Sequence, residues 1–203
     1  MSARRIVGTS LGELPTYAFG ARGPIWWGTL GFMLIEGTAF LLAGGAYLYI
    51  RGRDLHWPPE GTAAPDLLWG SLFTVVMLAS LIPNLWLDKA AKARDLAACR
   101  LAMVIMTAIA VVSMVIRAME FPHLNTHWHD TAYGSVTWAL IALHTTHVLT
   151  DLADTAVLAV FLFTHHVDGK RFADVSDNAH YWNFVVLTWL PIYALIYWAP
   201  RVL

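Results

Sequence analysis

The densest group of residues that could do chemistry lies in one apolar segment, residues 143–157 (LHTTHVLTDLADTAV), which holds His144, His147, Asp151 and Asp154. On a helix, with about 100° of rotation per residue, these four side chains fall within a sector of about 80°. They would form one polar stripe on an otherwise apolar helix. His147 and Asp151 are four residues apart, so they could hydrogen-bond directly.

Four kinds of chemistry fit such a stripe. Imidazole and carboxylate groups are ligands for zinc or iron, and a histidine can ligate a haem. Histidine and aspartate inside a membrane can also relay protons, or hold helices together through hydrogen bonds across a bundle. A metal or haem would need further ligands from facing helices.

Few other residues could complete a metal or haem site. The sequence offers one more deep carboxylate, Glu36, and no histidine inside another apolar segment. We therefore interpret Glu36 and the stripe as a buried polar core whose function is linked to protons or lipids. No catalytic, cofactor-binding or metal-binding role is assigned to these residues. Arg117 and Glu120, three residues apart near the end of another segment, are interpreted as an ion pair at the membrane interface.

Five apolar spans are the elements that must position these groups. A bilayer core about 30 Å thick is crossed by about 20 residues of helix. The spans are residues 25–50, 67–87, 97–119, 133–163 and 181–200. Their length and their lack of period-two alternation exclude strands. The predicted fold is therefore an all-α membrane bundle of five transmembrane helices.

Composition points to the same class. The chain has 203 residues, of which 58% are hydrophobic and 13% are charged, with a net charge of −1. A soluble domain has about 25% charged residues, so a soluble globule and a disordered chain are excluded. A nucleic-acid-binding protein is excluded as well, because it would need a basic field. Cys99 is the only cysteine, which excludes an internal disulfide and a thiolate zinc cluster.

The organisation is that of one domain. Residues 1–24 are predicted to be a short arm, because they lack the apolar stretch of a signal peptide. Residues 25–203 form the membrane domain, with short loops that include residues 88–96 and 164–180. Of the 13 Lys and Arg residues, nine fall on the side that holds the N-terminus, which predicts a cytoplasmic arm.

Short patterns in several spans share an order and spacing with a known family. Residues 143–148 (LHTTHV) are similar to a Gly-Phe-His-Gly-x-His-Val pattern, and residues 181–186 (YWNFVV) to a Tyr-Trp-His-Phe-Val-Asp pattern. Glu36 corresponds to a glutamate in the first helix of that family, and residues 120–121 correspond to its Glu-aromatic pair. From about Trp26 onward, the chain resembles subunit III of the haem-copper terminal oxidases, in the short bacterial form with five helices.

The resemblance implies an accessory subunit of a respiratory terminal oxidase in the bacterial cell (inner) membrane, whose complex reduces oxygen and translocates protons. It implies no redox site in this chain, with haem and copper held by the partner subunits. The implied partners are subunit I, subunit II as a second candidate, and phospholipids, with no nucleic acid. The implied role is to stabilise the catalytic subunit.

Departures from the family pattern leave alternatives open. Asn183 and Val186 replace the family's His and Asp, whereas Asp151 and Asp154 occur where the family is apolar or has glycine. One hypothesis is that the polar partners of the two stripe histidines have moved onto the same helix. A quinol oxidase or a nitric oxide reductase is an alternative partner complex. The rival functions are a free-standing His/Asp metalloenzyme and a small proton-linked transporter.

Overall fold

The computed structural model describes residues 17–202. Within that range there is no strand, and five helices are long and apolar enough to cross a membrane. They are α1 (Pro24–Arg51), α2 (Leu67–Ala93), α3 (Leu96–Glu120), α4 (Ala132–Thr164) and α5 (Gly169–Tyr193), and α5 is extended by a π-helical turn (Ala194–Trp198) and a short helix, α6 (Ala199–Val202).

The all-α fold with five membrane-spanning helices, predicted from the sequence, is confirmed. Most of the predicted arm, residues 1–16, lies outside the described residues. The side of the membrane that holds the N-terminus stays a prediction.

Two predicted loops are wrong. Most of residues 88–96 continue α2, and most of residues 164–180 belong to α5, which begins at Gly169. The early start of α5 has a local cause, because the Asp168 carboxylate accepts a hydrogen bond from the Arg171 backbone N–H at 3.2 Å and so caps the helix. Hydropathy missed this part of α5 because its polar residues, among them the buried Asp177 and Asn178, lower the mean hydropathy.

Turns and caps set the antiparallel order of the helices. Arg94 takes a left-handed conformation with φ 57° directly after α2, and the Asp95 carboxylate then accepts a hydrogen bond from the Ala98 N–H at 3.0 Å. This tight turn makes α2 and α3 antiparallel neighbours. At the start of α4, the Thr131 hydroxyl accepts a hydrogen bond from the Gly134 N–H at 3.0 Å. The two capping residues, Asp95 and Thr131, are of types preferred at helix N-termini.

Helix α5 lies at the centre of the bundle. It packs against α1, α2 and α4, while α3 packs against α2 and α4. Two buried tryptophans of α5 are held by α2: the Trp182 indole donates to the Ser80 hydroxyl and the Trp189 indole to the Thr74 hydroxyl, both at 2.7 Å. A buried indole N–H needs such a partner, so these bonds fix the register of α5 against α2.

The bundle has two ends. The first end carries the starts of α1 and α5 and the end of α4, and the second end carries residues 52–66 and 121–131 and the C-terminus. At the second end, the Arg201 guanidinium donates to the Pro65 carbonyl at 2.6 Å, and the Asp66 N–H donates to the His123 carbonyl at 3.0 Å. These bonds tie the two loops to the C-terminal segment.

Candidate functional site

The polar stripe of α4 faces the inside of the bundle over most of its length. His144, His147 and Asp151 are buried, with 0%, 7% and 1% of their surface exposed. Glu36 of α1 is partly buried. Asp154 is exposed, which corrects its prediction as a buried core residue. The helical rotation grouped the four side chains correctly, but the bundle does not cover the last of them.

His144 is held by partners on two other helices. Its Nδ1 accepts a hydrogen bond from Arg117 Nη2 at 3.2 Å, and its Nε2 lies 3.0 Å from the Val185 carbonyl of α5. A carbonyl can only accept and a guanidinium can only donate. His144 is therefore the neutral tautomer with its proton on Nε2.

Arg117 is held by two aromatic rings and by Glu120, although its Nε is buried without a hydrogen-bond partner. Its guanidinium lies 3.7 Å from the centre of the Phe73 ring and 4.2 Å from that of Trp189, and it pairs with Glu120 at 2.6 Å. Arg117 and Glu120 are each only 1% exposed. The predicted ion pair forms and is buried within the bundle, and its location at the membrane interface stays a prediction.

Tyr197 completes the pairing of Glu120. It belongs to the π-helical turn after α5, and its hydroxyl donates to the second carboxylate oxygen of Glu120. The Tyr197 ring packs so closely on Gly70 of α2 that a Cβ there would collide with it. We call this group the ion-pair cluster; its members are Phe73, Arg117, Glu120, His144, Trp189 and Tyr197.

His147 faces α1 rather than Asp151. Its Nδ1 donates to the Leu143 carbonyl at 2.6 Å, and its Nε2 lies 3.1 Å from a carboxylate oxygen of Glu36. The other Glu36 oxygen accepts from the Tyr181 hydroxyl at 2.8 Å. Both nitrogens of His147 are therefore engaged, and the hydrogen bond predicted between His147 and Asp151 is not formed. His147 and Glu36 share one proton, since a bond between them needs a hydrogen on either group.

Asn178 of α5 is the common partner of the two stripe aspartates. Its amide donates to Asp151 at 3.4 Å and to Asp154 at 3.1 Å. The second oxygen of Asp151 is buried and has no hydrogen-bond partner. The hypothesis that the stripe histidines take their polar partners from their own helix is wrong, because Arg117 is on α3 and Glu36 is on α1.

A cavity of about 780 Å³ lies between α1, α4 and α5. Its polar lining combines the predicted groups Glu36, His147, Asp151 and Asp154 with two residues that sequence reasoning missed, Asp174 and Asp177 of α5. We call it the acid-lined cavity. Its volume is within the range of small-molecule sites, and its carboxylates can hold and exchange protons or accept hydrogen bonds from a ligand.

The arrangement differs from a metal centre. In residues 17–202, no group of three or more His, Cys, Asp or Glu side chains could hold a metal ion. The imidazoles of the stripe are instead engaged by Arg117, Glu36 and backbone carbonyls. The polar residues link helices to one another, which is the usual role of such groups in a membrane bundle.

Fold and site together define a multi-pass helical membrane protein whose buried charges are paired between helices. Residues 50–200 match the family model of cytochrome c oxidase subunit III, and the chain belongs to that family. It is thus a respiratory-chain protein, of a family that forms a subunit of an oxidase complex.

Relatives cover most of the chain. It is similar to cytochrome c oxidase subunit 3 of Thermostichus vulcanus, with 25% identity over 86% of this chain and 87% of the relative. The subunit of Synechocystis is 25% identical over 84% of this chain and 73% of the relative. The subunit of Ornithorhynchus anatinus is 26% identical over 70% of this chain and 55% of the relative. With its five apolar helices, the chain is a multi-pass bacterial membrane protein.

Proposed function

We propose that the chain is the accessory subunit III of a bacterial respiratory haem-copper oxidase, in a complex that reduces oxygen and translocates protons. The observation that carries the proposal is the family match along residues 50–200. In this role the chain holds no redox cofactor. It packs against subunit I, with subunit II as a further partner, and the haem and copper belong to those subunits.

The engagement of the stripe residues supports a non-catalytic role. Both ring nitrogens of His144 and of His147 are used in contacts within the chain. A metal or haem iron bound to either ring would have to break one of these contacts, which are made with Arg117, Glu36 and two backbone carbonyls. The same argument weighs against the free-standing metalloenzyme.

The acid-lined cavity supports lipid binding. Ile25, Phe32 and Val157 line it and are also exposed on the side of the bundle. The cavity is therefore open toward the space that lipid chains occupy, and it has polar groups at its inner wall. A phospholipid could place an acyl chain along the apolar rim and its polar part near the carboxylates and Arg171.

A pull-down tests the main proposal. The tagged chain is extracted in a mild detergent, and absorption spectra of the purified material are recorded beside an untagged control. We expect a haem-copper subunit to co-purify. Its haem absorption bands should distinguish a cytochrome c oxidase from a quinol oxidase or a nitric oxide reductase. The named relatives are cytochrome c oxidase subunits, which favours cytochrome c as the donor. Isolation of the chain alone with stoichiometric metal would overturn the proposal.

Lipid binding has a test of its own. Gly28 lines the cavity and Gly45 does not, and both lie on α1 with open space beside them. Gly28→Phe should fill part of the cavity and lower the number of lipids retained in native mass spectrometry. Gly45→Phe is the matched control and should leave that number unchanged. Equal lipid retention in the two variants would contradict binding in the cavity.

A further inference from the structure

Two polar regions share the interior of the bundle, one toward each end. The acid-lined cavity extends from Ile25 and Arg171, near the first end, to Glu36 and His147. The ion-pair cluster begins at His144, about one helical turn nearer the start of α4 than His147. It continues through Arg117 to Glu120. Together they place ionisable groups over much of the path between the two ends, in a protein of a membrane that must hold a proton gradient.

An aromatic layer, formed by Phe40 together with Phe73 and Trp189 of the ion-pair cluster, surrounds His144 where the two regions meet. The Phe40 ring lies between the stripe histidines, with its centre 4.7 Å from that of His147 and 6.2 Å from that of His144. On the other side, the rings of Phe73 and Trp189 lie 5.9 Å and 5.0 Å from His144. All three aromatic residues are buried, so the layer leaves little room for a continuous file of water.

The hydrogen bonds of His144 oppose proton transfer through this layer. Its Nε2 proton is committed to the Val185 carbonyl. Its only free lone pair, on Nδ1, points at the Arg117 guanidinium. A proton could bind there only by breaking that bond and placing two positive charges against each other. Arginine itself stays protonated in proteins, so it cannot pass a proton on.

We propose that Arg117, which lies behind His144 beyond the inner end of the acid-lined cavity, is a charged barrier that keeps protons from crossing the bundle. A fixed buried guanidinium excludes protons and cations from a membrane path by electrostatic repulsion. Glu120 pairs with Nη1 of the guanidinium, whereas Nη2 faces His144, and the rings of Phe73 and Trp189 hold the group in place. Protons therefore reach the cavity from the first end of the bundle and not from the second. This role concerns the chain itself and holds whichever oxidase contains it.

Passive proton flux tests the barrier. The full chain is reconstituted in liposomes that carry a pH-sensitive dye and a potassium diffusion potential. The wild-type chain should be as tight as protein-free liposomes. The double variant R117Q/E120Q removes both charges of the pair, so that no carboxylate is left unpaired, and the internal pH should change several-fold faster. Arg100→Gln is the matched control, because Arg100 donates to the Leu162 carbonyl outside the cluster, and it should stay tight. A folded double variant that remains tight overturns the proposal.

A measurement on the wild-type chain keeps the proposal testable if the double variant does not fold. The ¹⁵N signals of His144 and His147 can be followed by NMR as the pH is lowered, with His147→Gln used for assignment. His144 should remain the neutral tautomer, with its proton on Nε2, at the lowest pH at which the chain stays folded. Protonation of His144 Nδ1 in the folded chain would overturn the barrier.

Discussion

Arg117 and Asp151 are buried to the same degree, each with 1% of its surface exposed and one polar atom without a hydrogen-bond partner, yet their other contacts differ in number and strength. Arg117 has a carboxylate, an imidazole and two aromatic rings around it. Asp151 has one long hydrogen bond from Asn178 and an oxygen without a partner beside a cavity. Burial alone therefore does not determine what a charged residue does for this protein.

The two regions also differ in how many helices they join. The ion-pair cluster takes side chains from α2, α3, α4, α5 and the π-helical turn after α5. Its core is the Arg117–Glu120 pair within α3, and the contacts around that pair join α3 to the other elements. The acid-lined cavity lies between α1, α4 and α5. Glu36 bonds His147 and Tyr181 there, and the Asn178 amide is the shared partner of Asp151 and Asp154. We infer that the cluster stabilises the fold, whereas the cavity is free to change its protonation or its contents.

The largest expected effect is the loss of Arg117. Arg117→Leu leaves the Glu120 carboxylate buried with only Tyr197 as a partner. Removing one member of a buried ion pair costs about 3–5 kcal/mol, so the free energy of unfolding should fall by about that amount. Chemical denaturation in a mild detergent measures it.

A double variant distinguishes the free energy lost with the ion pair from the cost of leaving the Glu120 charge buried without Arg117. In Arg117→Leu combined with Glu120→Leu, no charge is left buried, and much of the stability should return. If the double variant were as unstable as the single one, the packing of Arg117 between Phe73 and Trp189 would be the dominant contribution instead.

A smaller effect is expected where the cluster touches α2. In Gly70→Ala, the new methyl group meets the Tyr197 ring. Overpacking of this kind costs about 1–3 kcal/mol, and the displaced hydroxyl would also weaken its bond to Glu120. Gly45→Ala is the control, since its Cβ meets open space and alanine is the better helix former. Thermal unfolding should rank Gly70→Ala below the wild type and Gly45→Ala level with it or above.

Some of this comparison could be predicted from the sequence. The apolar lengths predicted five spans, and the 100° rotation of a helix placed the α4 stripe on one face. The spacing of Arg117 and Glu120 predicted their pairing. These predictions succeeded because each depends only on residues close together in the chain.

The partners across helices could not be predicted. Whether His147 meets Asp151 or Glu36 depends on how α1 docks on α4, and periodicity contains no information on docking. Asp174 and Asp177 were missed because polar residues at the start of α5 lower its hydropathy and mimic a loop. The capping residue Asp168, followed by Gly169, was the available signal for that helix start.

Asp151 provides the sharpest contrast with Arg117. Asp151→Leu removes a hydrogen bond of 3.4 Å, and Asn178 keeps its better bond to Asp154. A typical hydrogen bond contributes about 1 kcal/mol, so the loss of unfolding free energy should not exceed about that value despite complete burial. Denaturation under the conditions used for Arg117→Leu measures the difference. A loss as large as that of Arg117→Leu would mean that the cavity, too, holds the fold together.

The smallest effect is expected at the open edge of the cavity. Asp154 is exposed and bonded to Asn178 at 3.1 Å. In Asp154→Asn the new amide still offers an oxygen to Asn178, and exposed substitutions usually change stability by less than about 0.5 kcal/mol. Unfolding should therefore be unchanged, whereas the loss of a carboxylate should alter which lipids are retained in native mass spectrometry. If stability fell and the retained lipids did not change, Asp154 would stabilise the fold as the ion-pair cluster does. The contrast between a stabilising cluster and an adaptable cavity would then fail at the residue where the contrast should be clearest.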